Sequence, residues 1–369
     1  MKNIVHIVEP DPYFEWFKKL ISSLNTKKLS QKIITFRNFH DLNTFATDMK
    51  VPIYPHQQSG INLYFKLLLN VRETFKNTPN SIFVAQGHKP AFICLLAHHL
   101  FRIEYGIINH IQPGYFESLK KQNKLKGLVH QYIYKSYLKR AFFIQSLSLE
   151  VYNYLLSVKI PKERIFSFGH GIDFEKFKDK ASDKEPVEIK LSNGPRILMA
   201  GRLVWEKNYE PALLAMSIVT KQFPDAQLLI AGTGPDEDNL RQTAERLDIT
   251  NNVQFLGWVS NVPKLMVECD VFLHLALTES YGQVIIEACL SSIPIFTLPT
   301  GVSIDLNEQG DPLVHLISSP NPEYIATQLV KFFSNQPQPS IRTYDPYVKY
   351  REHNQDFIVD KISNYLKIL

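Results

Sequence analysis

The chain predicts an α/β protein of two doubly wound, Rossmann-like domains, and three observations carry that expectation. Short β-type runs alternate with helical patterns from end to end, the order that builds parallel sheets with right-handed crossovers. At 369 residues the chain exceeds one ordinary core and suits two domains of about 150–190 residues each. Between the halves lies KDKASDKEPVEIKLSNG (residues 178–194), charged and without a sustained apolar period, as a linker is. The expected domains are 1–177 and 195–345, with the linker between them. Residues 346–369 regain a helical pattern after the break QPQPS and are placed to cross back onto the first domain.

Each element follows from its local pattern. Compact runs rich in β-branched and aromatic residues place strands at 3–8 (NIVHIV), 32–36, 81–86 (SIFVAQ), 105–110, 142–145 and 164–168. Apolar residues at helical spacing place helices at 13–24, 62–76, 90–101, 124–139 and 149–158. The second half repeats the alternation, with strands at 196–200 (RILMA), 227–231 (QLLIA), 253–255, 270–275, 293–296 and 313–316. Its helices are expected at 208–222, 236–247, 262–268, 281–291 and 322–333.

Composition narrows the class. Hydrophobic residues at 44% and charged residues at 21% are ordinary for a globular protein. No apolar run approaches the roughly 18–20 residues of a membrane span, and MKNIVHIVEPDP opens on a strand rather than a signal peptide. Cys94, Cys269 and Cys289 are scattered in apolar contexts and are expected as reduced core residues of a cytoplasmic protein. No Cys/His spacing indicates zinc. The net charge of +5 hides an asymmetry, because residues 1–180 hold 26 of the 41 Lys+Arg but only 13 of the 36 Asp+Glu. A basic half joined to an acidic one implies that the first faces something anionic.

Chemistry concentrates where strands end. Glu279 and Glu287 frame ESYGQVIIE, eight residues apart; Glu279 falls in the turn after a strand and Glu287 inside the helix that leaves it. That edge of an open α/β sheet is where ligands bind, and the N–H groups of Ser280, Tyr281, Gly282 and Gln283 are the donors of a helix start; a helix with both acids solvated is the other reading. In MAGRLVWEKN a strand ends at Gly201, and Arg202 and Lys207 stand in the loop beyond. Two such cations can clamp a diphosphate and stabilise it as a leaving group; solvated surface cations are the other reading. IAGTGPDEDNL lacks G-x-G-x-x-G, so Asp236, Glu237 and Asp238 read as helix-start residues that complement the dipole. FGHGIDFEKF puts Gly169 and Gly171 around His170, a hinge or ligand-approach loop. His88 and His110 stand at first-half strand ends, with His110 the better placed for proton handling because Pro113 and Gly114 follow; a structural histidine is the other reading for each. From Tyr115 to Arg140 the chain is basic and aromatic, with Leu125, Leu128, Val129, Tyr132, Ile133 and Tyr137 at helical spacing. An anionic membrane surface and a core helix with a solvated basic face both fit. No nucleic-acid-binding module accompanies it.

Taken in order, FGHGIDFEKF, AGRLVWEKN, IAGTGPDEDNL and CDVFLHLALTESYGQVIIEACLSSIPI resemble the GT4 family of retaining glycosyltransferases (group 1). The resemblance implies the GT-B fold, two Rossmann-like domains facing across a cleft. It implies a nucleotide-diphosphate sugar as donor substrate, no cofactor and no metal, and a hydroxyl acceptor; the basic aromatic stretch points to a glycan or lipid-linked acceptor in envelope or polysaccharide synthesis. It also gives Arg202 and Lys207 the donor diphosphate, Glu279 the donor sugar and Glu287 the ribose hydroxyls. The turn Ser280, Tyr281 and Gly282 offers amides to the sugar, and His110 matches the active-site histidine. Three departures from the pattern stand out: EPDPYFEWF replaces a glycine pair, Ser291 and Ser292 precede Ile293 and Pro294 where a glycine is usual, and an acid is missing soon after Gly301. A sugar-nucleotide epimerase of the same fold, a phosphorylase and a non-catalytic nucleotide-sugar-binding protein are the alternatives. An NAD-dependent dehydrogenase is disfavoured by the missing glycine fingerprint.

Overall fold

The computed structural model describes residues 3–9, 14–36, 40–54, 61–108, 120, 123–182, 189, 191–335 and 345–368. The chain divides into two compact units, Met1–Gly171 with Gln355–Leu369, and Ile172–Asn354.

The first unit is built on strands β1 (Asn3–Val8), β2 (Gln31–Thr35), β3 (Ile53–Tyr54), β4 (Ser81–Gln86), β5 (Glu104–Ile108), β6 (Phe143–Ser146) and β7 (Ile165–Ser167). They form one parallel sheet in the order β3-β2-β1-β4-β5-β6-β7. Its central strands are buried on both faces, as parallel sheets require. In β1 and β4, Val5, Ile7, Phe83 and Ala85 join one core with Leu67, Val71, Ile93, Tyr134 and Tyr137. Their alternates Ile4, Val8, Ile82 and Val84 join a second core with Trp16, Leu20, Leu24 and Ile362. The C-terminal helix Gln355–Ile368 packs on the helix Phe14–Thr26 and contributes Ile358, Val359, Ile362 and Leu366 to that second core. Burial of each such side chain stabilises by roughly 1.5–3 kcal/mol, enough to hold the chain's end on the unit where it began.

The second unit carries β8 (Arg196–Ala200), β9 (Gln227–Ala231), β10 (Val253–Gly257), β11 (Val271–His274), β12 (Ile295–Thr297) and β13 (Val314–Leu316). Their order is β10-β9-β8-β11-β12-β13, again all parallel. The order reverses direction between β8 and β11. That is the topological switch point, where an open α/β sheet forms its ligand crevice.

The differences from the sequence expectation are local. The boundary falls at Gly171/Ile172, because Phe174–Ala181 is a helix of the second unit rather than the end of the first domain and the start of a linker. Asp173 caps it, accepting from the Lys176 N–H at 3.2 Å, and Phe174 and Phe177 are buried. Its lysines mask those two apolar residues in the sequence. The second crossing falls at Asn354/Gln355, not 345/346, because Pro346–Lys349 and Arg351–His353 still belong to the second unit. Two further helices, His40–Asp48 and Val302–Glu308, and strand β3 are too short to show a period. Cys94 and Cys289 are buried and Cys269 is half-buried, all as free thiols. No helix among the described residues is long and apolar enough to cross a membrane.

Candidate active site

Two loops leave adjacent strands at the switch point of the second unit. The first follows β8. Gly201 takes φ +148° and donates its N–H to the Ala231 carbonyl at 2.9 Å, and its own carbonyl accepts from the Tyr209 hydroxyl at 3.1 Å. A side chain at Gly232 would put its Cβ 1.8 Å from the Gly201 oxygen, so the strand exit exists only because Gly232 has none. The chain then makes the single 3-10 turn Trp205–Lys207 and reverses at Asn208, which adopts a left-handed conformation. Arg202 stays exposed, while Lys207 is half-buried.

The second loop follows β11 and is tied to the first by the Leu277 N–H, which donates to the Glu206 carbonyl at 2.8 Å. Glu279 is 7% exposed, and the Lys207 ammonium donates to its Oε1. The ring of His274, the last residue of β11, is also buried, and its Nε2 lies 3.4 Å from the same oxygen. Burial alone would raise the Glu279 carboxyl, but His274 and Lys207 outweigh it and hold the pKa at about 2. For His274 burial dominates and lowers its pKa, against the pull of Glu279. The cluster at neutral pH is therefore an ionised carboxylate between an ammonium and a neutral imidazole, which avoids the cost of an unpaired buried charge.

The turn beyond Glu279 is held from below. Gly282, at φ +83°, stands at the N-cap of the helix Gln283–Leu290. The Tyr281 carbonyl accepts from the Val302 N–H at 2.6 Å, and the Tyr281 hydroxyl pairs with His353 Nδ1 at 2.6 Å. Gly301, at φ +54°, allows this packing; a Cβ there would lie 2.4 Å from the Tyr281 oxygen and 3.0 Å from Glu279 Cβ.

Gln283 and Glu287 share one helix face by their spacing, and both line an open pocket of about 270 Å³. Lys176 and Lys180 from the helix Phe174–Ala181 and its cap Asp173 also line it, with Ser260, Val262 and Pro263. Burial pushes the Glu287 carboxyl up to about 7, with Lys180 pulling it down.

Of the residues chosen from sequence, the structure thus joins Lys207 to Glu279, and Gln283 to Glu287. Gly201 and Arg202 lie at the exit of β8, and Ser280, Tyr281 and Gly282 form the turn between the two acids. His110 lies outside the described residues, as do Pro113 and Gly114, residues 115–119 and most of EPDPY. His88 is the first residue of the helix His88–Phe101. Its Nδ1 pairs with the Tyr137 hydroxyl at 2.7 Å and its ring stacks on His130. Burial lowers it to about 4. Asp236 caps its helix without a side-chain bond, and Glu237 pairs with Arg241 at 2.7 Å. Sequence reasoning missed His274, Lys176 and Lys180. For His274 the available signal was one imidazole among apolar neighbours in FLHLAL at a strand end.

Residues 181–347 match the family model described as glycosyl transferases group 1. The chain is 27% identical over 146 residues to the alpha-monoglucosyldiacylglycerol synthase of Streptococcus pneumoniae, covering 37% of this chain and 32% of that one. It is 28% identical over 130 residues to the N-acetyl-alpha-D-glucosaminyl L-malate synthase of Bacillus anthracis, covering 35% and 32%. The chain spans between 24% and 38% of the length of the first such relatives. The solved structure of Anabaena Alr3699/HepE in complex with UDP matches over 100% of both chains, with a TM-score of 0.77 at 17% identity. WaaG, described as a glycosyltransferase of lipopolysaccharide biosynthesis, matches over 98% of this chain and 99% of its own at TM-score 0.65 and 15% identity. The paired parallel-sheet units have the GT-B fold.

Proposed function

We propose that this chain, a member of the group 1 glycosyltransferases through residues 181–347, is a retaining, GT4-type hexosyltransferase. It moves a sugar from a nucleotide-diphosphate sugar to a hydroxyl of a glycan or lipid-linked acceptor. The observation that carries the reading is the contact of Lys207 with buried Glu279 at the switch point of the second unit. A ligand there meets a cation suited to a diphosphate beside a fixed carboxylate suited to sugar hydroxyls. HepE, with UDP bound in a structure of this fold, supports a nucleoside diphosphate as the shared part of the donor.

In this reading Lys207 and Arg202 take up the charge of the departing diphosphate, with no metal needed. Glu279 holds the sugar, and the amides of Ser280, Tyr281 and Gly282 approach it. Glu287 accepts from the ribose hydroxyls in the pocket it shares with Gln283. The bond from the anomeric carbon to the phosphate oxygen breaks, and the acceptor oxygen bonds the same face. Its proton passes to an oxygen of the leaving diphosphate. His110 remains the proposed first-unit contact to the sugar.

The acceptor is assigned to the first unit, near an anionic membrane surface. The helix Lys124–Arg140 supports this. Tyr134, Tyr137 and Leu138 bury one side of it, yet Leu125, Leu128, Val129 and Tyr132 are exposed at 73%, 46%, 48% and 74%. Those four fall on the helix side away from the core, and Lys124, Lys126 and Lys135 stand on the same helix, so apolar and cationic groups are offered together to an anionic surface.

The test is turnover of labelled nucleotide sugars with lipid and glycan acceptors, with the product's anomeric configuration read by NMR. Lys207→Ala, Glu279→Gln and Glu287→Ala are each expected to cut transfer, with Lys207→Ala losing about 100-fold or more, while the protein stays folded. Near-normal transfer by all three removes the site assignment. Epimerised donor instead of glycoside supports the epimerase, and binding without any turnover supports a non-catalytic binding protein.

A further inference from the structure

We infer that His274 is a positioning residue for donor-sugar recognition, acting through Glu279; the inference rests on the role proposed for Glu279 above.

Its place is fixed by the sheet. His274 ends β11 and pairs in register with Thr297 of β12, and its carbonyl accepts from the Leu298 N–H at 3.1 Å. Its ring lies nearly parallel to that of Phe272, two residues earlier on the same strand face. A strand alternates its side chains, so this face is set before the loop to Glu279 begins. The ring is buried, and its Nε2 makes no well-aligned hydrogen bond among the described residues while standing 3.4 Å from Glu279 Oε1. Burying an imidazole nitrogen with nothing in reach would be costly. Here the Glu279 carboxylate stands in reach as the acceptor, and a small turn of either side chain aligns the bond. A carboxylate only accepts, so the imidazole faces it as the Nε2–H tautomer.

Lys207 approaches the same Oε1, but from a loop and through a flexible four-carbon stem. An ammonium can follow a carboxylate through several orientations; a ring anchored on a strand cannot. Lys207 supplies charge and His274 supplies direction. In the proposed reaction Lys207 also answers to the diphosphate, which competes for its protons. His274 then keeps the carboxylate aimed at the sugar while Lys207 is shared. A residue that works this way affects recognition of the sugar and leaves recognition of the nucleotide alone.

The experiment compares wild type, His274→Leu, His274→Gln and Glu279→Gln, with His274→Leu also made in the Glu279→Gln background. The probes are UDP-glucose, UDP-galactose, UDP-N-acetylglucosamine and GDP-mannose with their parent diphosphates, the sugar that wild type binds best being used throughout. Two quantities are read: the Kd of the diphosphate by calorimetry, and the rate of nucleotide-sugar hydrolysis without acceptor. His274→Leu is expected to lower kcat for hydrolysis 10-fold or more with the diphosphate Kd within twofold. His274→Gln, whose amide nitrogen reaches the Nε2 position, should recover most of the loss. In the Glu279→Gln background, His274→Leu should add less than twofold. Wild-type turnover in His274→Leu, or losses that multiply in the double variant, overturns the inference while leaving the role of Glu279 standing. Full turnover in Glu279→Gln alone instead overturns the functional reading beneath it.

Discussion

At the scale of single residues, the two acids of ESYGQVIIE do opposite electrostatic work. Glu279 is held near 2 and stays ionised at any working pH, whereas Glu287 is raised to about 7 from 4.5. Between those two values the folded chain keeps a proton on Glu287 that the unfolded chain has released. Stability therefore declines as pH rises from about 4.5 through about 7, and Glu287→Gln should flatten that decline in melting-temperature profiles. Because the ionised form is the better acceptor for ribose hydroxyls, nucleoside diphosphate affinity should climb over pH 6–8 more steeply in wild type than in Glu287→Gln. Equal slopes would remove Glu287 from nucleotide recognition. Ser292 carries a further expectation. It takes φ +56°, and its Oγ is buried without a hydrogen-bond partner among the described residues. Ser292→Gly should raise stability by about 1 kcal/mol in denaturant unfolding. Gly301→Ala should do the reverse to function, since its Cβ would press on Tyr281 and Glu279. Lys207 and Glu279 were legible in sequence because each follows a strand end in a recognisable motif. His274 was not, because a histidine inside an apolar run looks the same whether it packs or points.

At the scale of elements, strands were the most legible feature. Asn3–Val8, Ser81–Gln86, Arg196–Ala200 and Gln227–Ala231 fall where their compact apolar runs place them. Such runs need burial on both faces and so leave little freedom in their ends. Short amphipathic helices were the least legible. Phe174–Ala181 buries two phenylalanines among lysines that resemble a linker, and this hid both the true unit boundary and one wall of the Glu287 pocket. The C-terminal helix carries its own prediction. Ile362 is fully buried in the core that holds Trp16 and Leu20, so Ile362→Ala should cost about 2–5 kcal/mol. Chemical unfolding followed through a first-unit tryptophan, Trp16, would report it; an unchanged midpoint would mean that the helix does not stabilise that unit.

At the scale of the whole molecule, charge divides the chain where function is proposed to divide. The basic first half bears the helix with exposed Leu125, Leu128, Val129 and Tyr132, and the acidic second half bears the proposed nucleotide site. Cosedimentation with vesicles rich in anionic lipid should capture the protein and release it as salt rises, and neutral vesicles should not. Replacing Leu125 and Tyr132 by serine should weaken capture, and equal capture would assign the surface elsewhere. The central claim, that the second unit holds a nucleotide sugar by Lys207, Glu279 and Glu287, meets its most direct test in a thermal-shift screen of wild type and Glu279→Gln. The ligands are nucleoside diphosphates, their sugars and NADH. A ligand at 100 times its Kd stabilises by about 2.7 kcal/mol, a shift of about 5 °C or more for a unit of this size. The account predicts such a shift for one nucleotide sugar with wild type, a smaller one with Glu279→Gln, and none for NADH. No shift with any nucleotide sugar, or the same shift in Glu279→Gln, would contradict it.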